Sequence, residues 1–375
     1  MSNLNFLKLF AMFCLPVAAF ASHAATAERD TVLIVVSGEG RDQGKTRPGY
    51  EFDELSQAWL IFRDNGLNVE VASPQGGAVE ADRYNAKEPF NAELLADSAA
   101  MRALANTRTT RELKAEDYAA VYVVGGKGAM FDLPKDNSLR QILADVYENG
   151  GIVAAVCHGP AALADVRLRD GSLLVAGKSL TGFSNEEETV FGKKWAKEFP
   201  WLLEDALRTR GANWQEAALM MPNLVVDGRL ITGQNPYSTT AVAEAIVRGL
   251  RRTPVDRERW RDEVTMDLVM QFLSGDASGA SAEVKANKAR YHIDLIGLLG
   301  YYQLKAATSL EHIRDAVAIM ELAAPYMDQP QLAVGIAKGH SRMGDTTKAR
   351  DMLRTLLAKT PNMPEAKALL DQLGG

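Results

Sequence analysis

Ile152, Val153, Ala154, Ala155 and Val156 run without a polar break into Cys157, His158, Gly159 and Pro160. An uninterrupted apolar strand needs both faces covered, which is the condition of a parallel sheet flanked by helices. Gly159 tolerates a strained bend and Pro160 suits a first helical turn, so the segment reads as a strand turning sharply into a helix. Cys157 sits at the bend, where a side chain points into a pocket with backbone N–H groups nearby. A helix N-terminus behind the thiol is expected to lower its pKa and raise the thiolate fraction. The plain alternative is a core cysteine that merely packs.

The same alternation fills the first 250 residues. Thr31 to Ser37, Asn68 to Pro74 and Tyr118 to Val124 read as further strands, and residues 51–65 and 138–149 as helices between them. Pro74 with Gly76-Gly77 stops the second strand, and Gly125-Gly126 ends the third. Leu224 to Val226 and Leu230 to Thr232 flank Asp227-Gly228 as a hairpin, and residues 238–250 form an amphipathic helix. Strands alternating with helices predict a doubly wound parallel sheet, with its site at the C-terminal strand ends.

Composition bears on compartment and partners. The net charge of −6 argues against a nucleic-acid binder. Lys8 precedes an apolar run from Leu9 to Ala21, followed by the small-residue sites Ala19-Phe20-Ala21 and Ser22-His23-Ala24. This predicts a signal peptide over residues 1–24, too short to span a bilayer, and export to the periplasm without stable membrane insertion. Phe13 before Cys14 argues against a lipoprotein. Cleavage removes Cys14 and leaves Cys157 alone, so no internal disulfide is expected. A free thiol in an oxidising compartment is a liability unless it is used or well buried.

The texture changes after residue 250. Residues 251–282 read as a connecting helix, from about 256 to 273, and a flexible linker at Ser274 to Ser281. Residues 283–375 read as an all-α helical-repeat domain. Ala316, Ile319, Met320 and Ala323 match Ala349, Met352, Leu353 and Leu356 at an offset of 33 residues. The pattern resembles tetratricopeptide repeats, stacked hairpins with a concave peptide-binding face. About two repeats and a capping helix fit, so the tail is expected to lean on the α/β domain or on a second copy of the chain.

Of the chain's five histidines, only His158 falls in the α/β domain. A papain-like arrangement, the His-x-Glu pair of class I glutamine amidotransferases and a histidine-rich zinc site are thereby excluded there. The base for Cys157 must be His158 or a carboxylate. Glu54 is one candidate, because the first helix starts at the sheet edge that carries the bend. Glu186, Glu187 and Glu188 are another group, although three successive glutamates usually mark a solvated helix start.

The residues resemble the ThiJ/PfpI (DJ-one) superfamily, in its branch of heat-shock-protein-31 chaperones and glutathione-independent glyoxalases. The resemblance spans about residues 30–250. It rests on Gly49-Tyr50-Glu51-Phe52-Asp53-Glu54-Leu55, Ala72-Ser73-Pro74-Gln75-Gly76-Gly77 and Gly125-Gly126-Lys127-Gly128-Ala129-Met130-Phe131-Asp132-Leu133-Pro134. It continues through Ala155-Val156-Cys157-His158-Gly159-Pro160, Leu180-Thr181-Gly182-Phe183-Ser184-Asn185-Glu186-Glu187-Glu188 and Thr232-Gly233-Gln234-Asn235-Pro236. It implies a flavodoxin-like, class I glutamine amidotransferase-like fold. It also implies a catalytic set of Cys157, His158, Glu54 and Glu188. Gly126 and the His158 N–H would be the oxyanion donors, in a pocket with Gly125, Lys127 and Gly159. Lys127 departs from the histidine common at its position. It adds positive charge that is expected to lower the thiol pKa further, to shift preference toward an anionic substrate, or to mark lost activity.

The implied function is cofactor-free, metal-free conversion of methylglyoxal or related 2-oxoaldehydes to 2-hydroxy acids. Cys157 would add to the aldehyde, and Glu54 or His158 would move the proton. One alternative is a periplasmic holdase chaperone or peptide-binding protein, with its partner on the helical tail. Another is a PfpI-type peptidase or amidase. A homodimer is the expected assembly state.

Overall fold

The computed structural model describes residues 29–374. The leader-like segment, with Cys14 and His23, lies outside the described residues.

The main sheet contains β1 (Thr31–Val35), β2 (Asn68–Ser73), β3 (Arg108–Thr109), β4 (Ala120–Val123) and β5 (Ile152–Val156). Two short strands, β6 (Ser179–Leu180) and β7 (Asn213–Trp214), pair with each other outside it. β8 (Leu224–Asp227) and β9 (Leu230–Gly233) complete the main sheet in the order β3-β2-β1-β4-β5-β9-β8. Every pair is parallel except β8 with β9, the expected hairpin. β4 and β5 are buried at every residue, as their unbroken apolar runs require. Edge strand β8 instead alternates: Val225 is buried, while Leu224 and Val226 are exposed.

Register levels the C-terminal strand ends: Val35 lies beside Val123, Val123 beside Ala155, and Val156 beside Gly233. The chain winds one way from β1 to β2 and the other way from β4 to β5. The crevice between β1 and β4 is therefore the topological switch point, where the following loops splay apart and leave room for a site.

The helices of this half are α1 (Phe52–Asp64), α2 (Pro89–Ala96), α3 (Ser98–Ala105), α4 (Asn137–Glu148), α5 (Asn185–Phe191), α6 (Leu203–Thr209) and α7 (Thr239–Gly249). Right-handed crossovers place α1 and α4 on opposite faces, and α7 packs beside α1. α1 is buried from Leu55 to Phe62 because the sheet, α2 and α7 surround it.

The remainder is helical: α8 (Arg261–Leu273), α9 (Ala277–Ala286), α10 (Ile293–Ala306), α11 (Leu310–Ala323), α12 (Pro330–Arg342), α13 (Thr346–Lys359) and α14 (Pro364–Gln372). From α10 onward each helix packs on the next. The matched residues fall on α11 and α13, with Ala316, Ile319, Met320, Ala323, Ala349 and Leu353 fully buried. Two expectations are corrected. The flexible linker is α9 for most of its length: Asp276 caps it by accepting the Gly279 N–H at 3.0 Å, and its alanines and serines tolerate helix. The connecting helix begins at Arg261, five residues later than expected. The tail does lean on the α/β domain: Leu219, Met220 and Met221 are buried in one core with Val264, Ile296 and Leu299. No helix among the described residues is long and apolar enough to cross a membrane.

Candidate active site

Cys157 is the first residue past β5 and adopts φ +58°, a left-handed conformation that a β-carbon disfavours. Its N–H donates to the Gly233 carbonyl at 2.9 Å and its carbonyl accepts the Phe183 N–H at 2.8 Å, so two neighbouring segments hold the strain. The expected α-helix does not follow. Gly159–Leu163 form a short 3₁₀ turn, which carries too little aligned dipole to act on the thiol as a helix would.

His158 is buried, with Nδ1 at 3.4 Å from the Cys157 sulfur and Nε2 at 2.8 Å from Glu188 Oε2. If Nε2 carries the proton and donates to Glu188, Nδ1 is free to accept from the thiol. The ring is stacked on Phe183 at 4.4 Å and meets Phe199 edge-on at 5.9 Å, which fixes its plane.

Glu188 reaches His158 because of how α5 begins. Ser184 caps the helix and exchanges hydrogen bonds with Glu187. Glu187 Oε1 also accepts from Asn235 Nδ2 at 2.9 Å and the Met220 N–H at 3.1 Å. The solvated-start reading therefore fails for Glu187 and Glu188, both buried, and holds only for exposed Glu186. The three-glutamate run is amphipathic: on a helix, successive side chains point 100° apart.

Glu54 lies in the first turn of α1, fully buried, with Oε2 accepting the Gly125 N–H at 2.6 Å. Burial, reinforced by Glu51, pushes its carboxyl well above the usual range. Burial likewise pushes the Cys157 thiol up, opposed by a hydrogen bond from the Gly126 backbone. The expected fall in thiol pKa is thus overturned, since desolvation outweighs every favourable dipole in reach. Lys127 does not reverse it; its charge acts on Glu51 and Asp82.

The cavity over Cys157 has a volume of about 210 Å³, below the range that takes a drug-sized ligand. Cys157, His158, Gly126 and Lys127 line it; Gly125 and Gly159, expected in the pocket, lie behind it. A β-carbon on Gly125 would sit 2.6 Å from Cys157 Cβ and 2.8 Å from Glu54 Oε2, so glycine there lets the two side chains meet. Gly159 backs onto β4, where a β-carbon would lie 2.4 Å from the Val123 carbonyl oxygen.

Glu187, one of the three glutamates weighed from sequence, lines the cavity too; sequence reasoning missed the rest of the lining: Glu51, Asp82, Asn235, Tyr237, and the apolar Phe183, Phe191, Met220 and Pro236. Glu51 is raised to about 8 by burial and by repulsion from Asp53 and Asp82. Burial raises Glu187 to about 7. Glu51 and Asn235 stand inside the quoted motifs, but nothing local marks Met220. Among the described residues, no cluster of three or more histidine, cysteine or acidic side chains is placed to hold a metal ion.

Comparison with known proteins gives a consistent result. Residues 46–249 match the DJ-1/PfpI family. The chain is 33% identical over 207 residues to the glutathione-independent glyoxalase HSP31 of Saccharomyces cerevisiae, a match covering 53% of this chain and 87% of that one. It is 31% identical over 236 residues to a probable glutathione-independent glyoxalase, hsp3103, of Schizosaccharomyces pombe, covering 54% and 90%. Among solved structures, glyoxalase III from Candida albicans aligns with a TM-score of 0.54 at 28% identity, covering 59% of this chain and 98% of that one. Each match takes in nearly all of the relative and little more than half of this chain.

Proposed function

The chain belongs to the DJ-1/PfpI family, and on that premise we propose that it is a glutathione-independent glyoxalase with Cys157 as nucleophile and no cofactor. One observation carries the reading: Cys157 is linked through His158 to Glu188 beneath a small cavity, with the buried Glu54 carboxyl behind the thiol. Because the thiol rests protonated, it loses its proton as it reacts, to His158 Nδ1; Glu188 stabilises the resulting imidazolium. The sulfur bonds to the aldehyde carbon of methylglyoxal and the carbonyl pair becomes an alkoxide, received by the backbone N–H groups of Gly126 and His158. Glu54, held protonated by burial, gives that oxygen a proton. As a carboxylate it then takes the hydrogen of the same carbon and returns it to the neighbouring one, while the hydroxyl proton on the first oxygen passes to the ketone oxygen, which becomes the hydroxyl of lactate. The first carbon is now a thioester, and water cleaves it to lactate and free thiol. Methylglyoxal and water balance lactate, with one carbon oxidised and its neighbour reduced.

The test compares wild type with Cys157→Ala and Glu54→Gln, following methylglyoxal loss and lactate formation without glutathione. Wild type turns over, and each variant falls by at least about 10²-fold. A folded, reduced wild type that leaves methylglyoxal untouched rejects the reading.

A second reading, capture of unfolded apolar polypeptide, has its own observation: a groove of about 1280 Å³ on the helical region, lined in part by exposed Leu298 and Tyr301. It requires suppression of client aggregation that survives Cys157→Ala and is lost in Leu298→Glu. We also place the protein in the periplasm on the strength of residues 1–24; osmotic-shock fractionation checks this.

A further inference from the structure

The chemistry above uses the inner half of the cavity, and its outer wall is built from two parts of the chain. Phe191, Met220 and Tyr237 line the cavity and also pack against the core of the helical region. Phe191, at the end of α5, meets Tyr302 of α10 edge-on, with ring centroids 4.8 Å apart at 69°. Met220 is held at φ +65°, a left-handed conformation that persists in a non-glycine residue only where its surroundings over-determine it. Those surroundings grip both ends of one peptide group: the Met220 N–H donates to Glu187 Oε1 at 3.1 Å, and the Leu219 carbonyl accepts from Gln303 Nε2 at 3.0 Å. Glu187 belongs to the α/β half, and Gln303 is the neighbour of Tyr302 on α10. Cavity size is therefore set jointly by a helix that delivers a catalytic carboxylate and a helix of the tail.

We propose that Tyr302 and Gln303 are positioning residues of the active site, holding Phe191 and Met220 as the wall that sizes the cavity for a small aldehyde. The helical region is then part of the enzyme rather than an appended module. The substrate in this statement rests on the glyoxalase reading; the wall itself does not.

The experiment uses the full chain with Tyr302→Ala, Tyr302→Phe and Gln303→Ala. Two readouts are taken in parallel. One is KM and kcat for methylglyoxal. The other is the ratio of Cys157 modification rates by a bulky N-aryl maleimide and by iodoacetamide, read on the Cys157 peptide by mass spectrometry. Loss of the aromatic edge contact is expected to raise KM in Tyr302→Ala roughly two- to tenfold with kcat unchanged. The maleimide-to-iodoacetamide ratio rises alongside it. Tyr302→Phe keeps the ring and returns both values to wild type, and Gln303→Ala moves both in the direction of Tyr302→Ala. Wild-type KM and a wild-type ratio in folded Tyr302→Ala overturn the proposal. If that variant does not fold, the same result in Gln303→Ala overturns it. If wild type does not consume methylglyoxal, the glyoxalase reading fails, and the reagent ratio still decides the wall.

Discussion

Cys157 occupies a backbone conformation and a dielectric environment that both work against it. At φ +58° it is a residue for which glycine is the relaxed choice, so Cys157→Gly should be more stable than Cys157→Ala by about 1 kcal/mol, reversing the usual order. Urea unfolding of the two variants measures this. Glu51 sets a pH dependence. Its folded pKa of about 8 lies above the ordinary carboxylate value near 4.3, so its contribution is complete below that ordinary value and lost as pH rises through about 8. Glu51→Gln should therefore gain on wild type as pH rises from about 5 to about 8, by roughly 5–10 °C in Tm, and gain no more beyond. A Tm difference that stays flat across that range contradicts the assignment.

At the scale of elements, α5 does more than its seven residues suggest. Its first turn ties Glu187 to Ser184, Asn235 and Met220, which aims Glu188 at His158. Removing the cap in Ser184→Ala should cost about 1 kcal/mol of stability in denaturant unfolding. It should also slow methylglyoxal turnover, because the helix that carries Glu188 loses its anchored start. Unchanged turnover would place the anchoring elsewhere. α5 and α9 share a lesson about reading helices. Composition marks three glutamates as surface and Ser-Gly-Ala runs as linker. One buried hydrogen-bond network and one Asp276 cap reverse those readings.

At the scale of the molecule, the two halves share a core at Leu219–Met221 and a wall at Phe191. Cutting the chain after Val255 should leave those apolar side chains in water. The truncated protein should bind a hydrophobic dye and melt below the full chain, which differential scanning fluorimetry reads directly. A truncated domain with the full chain's Tm would mean that the two cores are energetically separate.

Much of this protein is written in short segments. Unbroken apolar runs specified strands buried on both faces, and their alternation with helices specified a parallel sheet with its site at the C-terminal edge. The motifs around Glu54, Gly125 and Cys157 placed three site residues, because a nucleophile's bend, its glycine neighbour and its acid partner each leave a local signature. Glu188 came through the family resemblance alone; local composition argued against it. What only the tertiary structure decided is whatever depends on distant parts of the chain meeting. Burial, a property of the packed whole, raises the Cys157 thiol and the Glu54 carboxyl instead of lowering the thiol. The cavity wall is the same kind of fact: Met220 and Gln303 lie 83 residues apart and become neighbours only when the tail docks.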